Sequence, residues 1–225
     1  MTSRDYAAPD ENSLRQALSQ AVRLLDMKGL NTGTSGNVSA RIPGGDAADG
    51  SFCITPAGLE PADTAPETIV RLSFSGRVDG AGRPSSEWRM HRDILRDRPE
   101  VNAVVHTHAV FATTLACLHR EIPAFHYKMA LVGGSSIRCA PYALFGSQQL
   151  SSLALEALQG RNACLLGNHG MVALGRSVRQ ALALCLEVET LCEQYWRILQ
   201  VGEPVLLTEA QIQEAAGQFS HYGLL

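Results

Sequence analysis

The chain has 225 residues, 45% of them hydrophobic and 18% charged, which is the balance of a globular protein long enough to bury its own core. A net charge of −3 gives no global attraction to nucleic acid or to an anionic membrane, so a bound anion must be held locally. No apolar run approaches a membrane span, the first residues lack the apolar core of a secretory signal, and six cysteines form no C-x-x-C pair, so a single cytoplasmic domain over residues 1–225 is expected.

Leu14, Leu18, Ala21, Val22 and Leu25 recur at helical spacing and predict a helix over residues 13–29 that Gly29 stops. Residues 33–61 are punctuated by glycine and proline, which predicts short strands with tight loops, GGDAADG (44–50) being a turn between two of them. PSSEWRMHRDILRDRP (84–99) reads as a helix opened by a serine cap and closed before Pro99. VNAVVHTH (101–108) reads as a strand, AVFATTLACLHR (109–120) as a short helix, and a further strand is expected around Phe125. GSQQLSSLALEALQG (146–160) is a helix between glycines, and RNACLLGNHGMVALG (161–175) is a pair of strands about a GNHG turn. The longest helix follows from Ser177, ended by Gly202 and Pro204, and a last one opens with a capping box of Thr208 and Gln211. Several connections are too short for parallel crossovers. The expected fold is therefore an α/β layered sandwich, a central and mainly antiparallel sheet with helices on both faces.

His106 and His108 stand two apart in the apolar run AVVHTHAVF. Alternate residues of a strand share one face, roughly 6.5–7 Å apart, so the two imidazoles lie side by side. They read as polar groups at a strand end, as an acid/base pair, or as two ligands of one divalent ion. A catalytic metal needs a third protein ligand and an open position. His169, on a glycine-flanked turn at a sheet end, is the best candidate for that third ligand, although taken singly it is an exposed turn residue. His91, His119, His126 and His221 read as surface or supporting polar groups. Glu87, behind two serines in the first turn of its helix, is the acid/base candidate, although the helix dipole alone favours a carboxylate there. GTSGNVS (33–39), TPAG (55–58) and PSS (84–86) are small-residue loops whose amides and hydroxyls suit an anion, best at Ser85 and Ser86 on a helix N-terminus. Neither a Walker A loop nor G-x-G-x-x-G is present, so no dinucleotide is expected. A chelator beside three such loops suggests a small phosphorylated substrate.

GTSGNVSARI, ITPAG, PSSEWRMH, VVHTHAV, IPAFHY, CAPYALFG and LLGNHGMVA, in this order and across most of the chain, together resemble the class II aldolase/adducin family. The resemblance implies an α/β sandwich around an antiparallel sheet, and a homotetramer with its sites between subunits. It implies one Zn2+ per subunit on His106, His108 and His169, with Glu87 completing the empty site and becoming the acid/base when substrate displaces it. Gly36, Asn37, Gly58, Ser85 and Ser86 match phosphate-binding positions. Tyr127 matches a tyrosine that reaches in from a neighbouring subunit to protonate the aldehyde oxygen, and Phe145 and Tyr222 match residues that shape the aldehyde end. The implied activity is reversible cleavage of a ketose 1-phosphate, of the L-fuculose 1-phosphate type, to dihydroxyacetone phosphate and a small aldehyde through a metal-stabilised enediolate.

Two departures from the family pattern bear on the site. Ala57 replaces a hydroxyl residue at the phosphate end, and Lys128 follows Tyr127 where an apolar residue is usual. Within the family, Thr55 argues against a 4-epimerase, which carries lysine there. Aldolases for 5-deoxyribulose or 5-methylthioribulose 1-phosphate, and a methylthioribulose-1-phosphate dehydratase, remain as alternatives. A non-catalytic adducin-like module is disfavoured, because such relatives lack the metal histidines.

Overall fold

The computed structural model describes residues 10–44 and 50–222. The GGDAADG turn and the segment read for a secretory signal thus lie largely outside the described residues. The chain runs α1 (Glu11–Met27), β1 (Asn37–Arg41), β2 (Ser51–Ile54), β3 (Val70–Ser73), β4 (Val78–Asp79), α2 (Trp88–Asp97), β5 (Ala103–Thr107) and α3 (Val110–Ala116). It continues through β6 (Ile122–Pro123), β7 (Ser136–Ile137), β8 (Cys139–Ala140), α4 (Gln148–Ala157), β9 (Ala163–Leu166), β10 (Gly170–Gly175), α5 (Val178–Val201) and α6 (Glu209–His221). Eight strands form one sheet in the order β4-β3-β2-β1-β5-β10-β9-β8, antiparallel except for the β8–β9 pair. This is the layered, mainly antiparallel α/β architecture expected from the short connections.

The period of two along each strand sorts the sheet into two faces. Val38, Ala40, Ala103, Val105, Met171 and Ala173 pack into one core with α1, α3, α5 and α6. Phe52, Ile54, Val104, Val172 and Leu174 pack into a second core with α2 and α4. Helices therefore cover both faces. On α1, Leu14, Leu18, Ala21 and Leu25 are buried, and Asp10 caps the helix by accepting from the Ser13 amide. Fully burying a leucine such as Leu18 stabilises the fold by about 1.5–3 kcal/mol.

Two local expectations are corrected. Phe125 is not in a strand: β6 ends at Pro123, which has no N–H to extend a ladder, and the Phe125 amide turns back to the Pro123 carbonyl. Neither serine occupies the cap position of α2. Glu87 stands there without a side-chain cap bond, while the Ser85 hydroxyl accepts from the Glu87 amide at 3.3 Å. The Glu87 carboxylate is thereby left to turn inward.

Candidate active site

The site lies where β1, β5 and β10 end on the α2/α4 face. In β5, His106 shares the face of Val104 by the period of two, and His108, one residue past the end of the strand, turns its ring to meet that of His106. Strand pairing sets Asn37 of β1 on one side of His106 and Val172 of β10 on the other. The β9–β10 turn carries His169, held by a hydrogen bond from its amide to the Leu166 carbonyl, with Asn168 in the left-handed region at φ 53°. The N-terminus of α2 brings Glu87 over the same point.

The three imidazoles meet in a near-equilateral triangle, with ring centroids 5.0, 4.8 and 4.9 Å apart and the rings edge to face. One donor atom from each of Glu87, His106, His108 and His169 falls within 4.8 Å of the others. His106 Nε2 lies 2.9 Å from Glu87 Oε2 and 3.1 Å from His108 Nε2, and His169 Nε2 lies 3.4 Å from Glu87 Oε1. His106 Nδ1 sits 2.9 Å from the Met171 carbonyl, which only an N–H at Nδ1 can satisfy, so Nε2 is the nitrogen aimed at the centre.

The electrostatics suit a cation. Burial pushes the Glu87 carboxyl up, but the adjacent His106, His169 and the Asn37 amide outweigh it and hold the group well below the usual carboxylate range. Burial lowers His106 as well, yet the Glu87 charge raises it above an ordinary histidine. His108 and His169 are pushed down to about 4, by burial first and by His106 second, so both are neutral and ligand-ready near pH 7. Glu87 Oε1 is buried and accepts no hydrogen bond from the described residues. An orphaned carboxylate oxygen facing three converging nitrogens is costly without a cation and natural with one. Three imidazoles and a carboxylate are a donor set suited to a divalent ion such as zinc.

A cavity of about 420 Å³ opens above this cluster. Gly36, Asn37, Gly58, Ser85 and Ser86 all line it, and Tyr142, Ala143 and Phe145 form another wall. Lysine and arginine are missing from its described lining, so a phosphate there would be held by amides, hydroxyls and the N-terminus of α2. Gly36 has φ 75°, and a Cβ on it would meet the Asn31 side chain at 2.3 Å. That side chain in turn accepts from the His108 amide at 3.0 Å, tying the loop to the histidine pair. Ala57 lines the cavity, but its amide is committed to the Arg83 carbonyl, so this position offers neither a hydroxyl nor a free N–H.

Two predicted residues are not brought to this cavity within one chain. Tyr127 is half exposed on a 3-10 turn (Tyr127–Val132) and stacks on Phe219 of α6, while Tyr222 is exposed at the end of α6. Lys128 also points elsewhere, pairing with Glu187 of α5 at 2.9 Å.

Sequence reasoning placed His91 no more closely than as a surface or supporting polar group, and the structure buries it completely in the supporting role, while Asn31 was passed over. His91 Nδ1 lies 2.7 Å from Ser39 Oγ and its Nε2 lies 2.5 Å from Asn37 Oδ1. Its position four residues after Glu87 was the available signal, since i and i+4 share a helix face. For Asn31, which precedes the loop without any periodicity, the sequence carries no such signal.

Comparison with known proteins places this geometry in context. The sequence pattern of the Class II Aldolase and Adducin N-terminal domain matches residues 16–196. A 5-methylthioribulose-1-phosphate/5-deoxyribulose-1-phosphate aldolase of Rhodospirillum rubrum is 51% identical over 211 residues, 94% of this chain and 93% of that protein. An L-fuculose phosphate aldolase of Escherichia coli is 39% identical over 216 residues, 96% of this chain and 98% of that protein. The solved structure of an L-fuculose 1-phosphate aldolase superposes with a TM-score of 0.87 at 33% identity, covering 96% of this chain and all of the other.

Proposed function

The chain belongs to the class II aldolase/adducin family and is a class II aldehyde-lyase, and from that premise we propose that it reversibly cleaves a ketose 1-phosphate to dihydroxyacetone phosphate and a small aldehyde. The observation that carries this reading is the convergence of Glu87, His106, His108 and His169 on one point beneath a cavity rimmed by anion-suited loops. Zinc is the proposed ion, held by the three histidines and, in the empty site, by Glu87. When bound, such an ion supplies Lewis-acid stabilisation of the negative charge that develops on the ketose oxygens as the carbon–carbon bond breaks.

The chain's own groups do the rest. Gly36, Asn37, Gly58, Ser85 and Ser86 hold the phosphate and so fix the register of the ketose over the metal ligands. Glu87, drawn between the histidines and the open cavity, delivers a proton to the carbon that becomes the hydroxymethyl group of dihydroxyacetone phosphate, and removes it in the reverse direction. Tyr127 takes the proton from the hydroxyl that becomes the aldehyde. Since Tyr127 and Tyr222 lie outside their own chain's cavity, this reading needs a neighbouring copy, consistent with a homotetramer whose sites lie between subunits. Phe145, 62% exposed at the mouth, and Tyr222 bound the aldehyde end.

Two substrate readings stand on specific observations. The resemblance of the motifs suggests L-fuculose 1-phosphate, which the Escherichia coli relative supports. The 51% identity to the Rhodospirillum rubrum enzyme favours 5-methylthioribulose and 5-deoxyribulose 1-phosphates, and this is the reading we prefer. Phe145 and Tyr142 on the cavity wall suit a methylthio or methyl tail better than a polar one. The test is dihydroxyacetone phosphate release from these three ketose phosphates and rhamnulose 1-phosphate, with metal content assayed in parallel. Release fastest from the methylthio and deoxy substrates, lost on chelation and restored by zinc, is expected. A metal-loaded protein that releases none, but dehydrates methylthioribulose 1-phosphate, would sink the aldolase reading in favour of the dehydratase.

A further inference from the structure

Behind the site runs a chain of buried polar contacts whose far members, His91 and Ser39, the reaction above leaves unused. Ser39 Oγ lies 2.7 Å from His91 Nδ1, His91 Nε2 lies 2.5 Å from Asn37 Oδ1, and Asn37 Nδ2 lies 3.1 Å from Glu87 Oε2. All four residues are buried, His91 and Ser39 completely. Glu87 and His91 sit one turn apart on α2, whereas Asn37 and Ser39 alternate on β1, so the contacts join the helix to the strand across the second core.

Only one orientation of Asn37 satisfies this chain. Glu87 is an anion and accepts, so the end of Asn37 that faces it must be the NH2 group. Asn37 then turns its carbonyl oxygen to His91, which must donate from Nε2. As a neutral ring, His91 must accept at Nδ1 from the Ser39 hydroxyl. With Asn37 flipped, its carbonyl would face the Glu87 carboxylate at 3.1 Å, two acceptors opposed in a site shielded from water. A protonated imidazole would donate from the same Nε2, so the orientation of Asn37 does not depend on the charge of His91.

We propose that His91, backed by Ser39, is a positioning residue that locks the Asn37 carboxamide with its NH2 group toward Glu87 and the cavity. Asn37 lines the cavity between the loop of residues 34–36 and Glu87, where an anionic ligand needs a donor and not an acceptor. An asparagine free to rotate would spend part of its time presenting the wrong end. His91 removes that freedom without touching ligand or metal. The inference rests on the phosphate-site reading of Asn37.

The test is a double-mutant cycle on the zinc-loaded protein, with inorganic phosphate affinity measured by calorimetry as a readout that needs no turnover. Losing one charge-assisted hydrogen bond weakens binding about tenfold. His91→Leu and Asn37→Ala should therefore each weaken phosphate about tenfold, and the double variant should bind no worse than Asn37→Ala alone, because His91 acts through Asn37. His91→Gln, whose amide N–H reaches the same position, should recover most of the loss. Zinc content should be unchanged throughout. Multiplicative losses, or wild-type phosphate affinity in His91→Leu, would overturn the proposal. If His91→Leu does not fold, nitrogen-15 NMR of histidine-labelled wild-type protein decides instead. The resonance that disappears in His91→Gln must report an Nε2–H ring, and an Nδ1–H tautomer refutes the lock. Should no ketose phosphate be cleaved while the cycle behaves as stated, the aldolase reading fails and the positioning role survives.

Discussion

At the scale of single residues, the proposed mechanism makes two demands on Glu87: to complete the metal ligands, and to leave them to move a proton. Replacing it with glutamine removes the proton carrier while three histidines remain. Glu87→Gln should therefore retain zinc and lose about 10²- to 10⁴-fold in kcat for dihydroxyacetone phosphate release. A folded, zinc-loaded variant cleaving at the wild-type rate would dismiss the role. The cysteines allow an independent check of the structure. Burial pushes Cys53 and Cys139 up to about 11 and Cys185 to about 12, and raises Cys164 and Cys192 as well. Thiolate is the reactive form. Cys117, exposed after α3, should be alkylated by iodoacetamide at pH 8 well before the other five, as read by peptide mass spectrometry. The residues that converge on one point were legible in the sequence because H-x-H, GNHG and a carboxylate behind two serines are local patterns. Asn31 was not, and for His91 only a supporting role was, because their partners lie 77 and 54 positions away in the chain.

At the scale of elements, α2 aims Glu87, and α2 is itself clamped to α4. Asp93 is buried and accepts from Arg92 at 2.8 Å, Gln148 at 2.6 Å and Ser151 at 2.7 Å. Burial pushes its carboxyl up, but these three donors win and hold it below its ordinary value. Asp93→Ala leaves the buried Ser151 hydroxyl and the half-buried Arg92 guanidinium without their acceptor and should cost about 1–3 kcal/mol, seen as a lower urea midpoint with little change in slope. A depressed carboxylate stabilises above its unfolded pKa and loses that contribution as pH falls, so the gap between wild type and variant should close in acid. An unchanged gap at pH 3 would contradict the clamp. Helices such as α1 and α5 were legible because their apolar period runs over many turns. The strand expected near Phe125 failed because a short apolar run carries too few residues to separate strand from turn, and Pro123 decided the matter locally.

At the scale of the whole molecule, burial against the two-faced sheet shifts the titration of the site's histidines. His91 is pushed down to about 3, by burial foremost, and His108 and His169 to about 4, whereas His106 is raised. The unfolded chain takes protons near pH 6.5 at the three depressed rings and the native protein does not, so they destabilise the fold as pH falls below 6.5. His106 has the opposite sign and offsets part of this. The metal-free protein should lose stability between pH 6.5 and 4.5 in urea titrations, and a flat profile would refute the neutral, buried state of these rings. The proposed shared site makes a different prediction. Coexpressed Glu87→Gln and Tyr127→Phe chains, each inactive alone, should assemble hybrids in which some sites have both native residues and regain about a quarter of wild-type activity. A site contained in one chain would recover nothing. Finally, His106 is paired on both sides, with Asn37 of β1 and Val172 of β10. A slip of one residue in β5 would turn its imidazole to the opposite face of the sheet. A metal ion held at the proposed site would then become a census of correct strand pairing: in a refolding mixture, the stoichiometry of metal retained would count the molecules whose central strands have found their register.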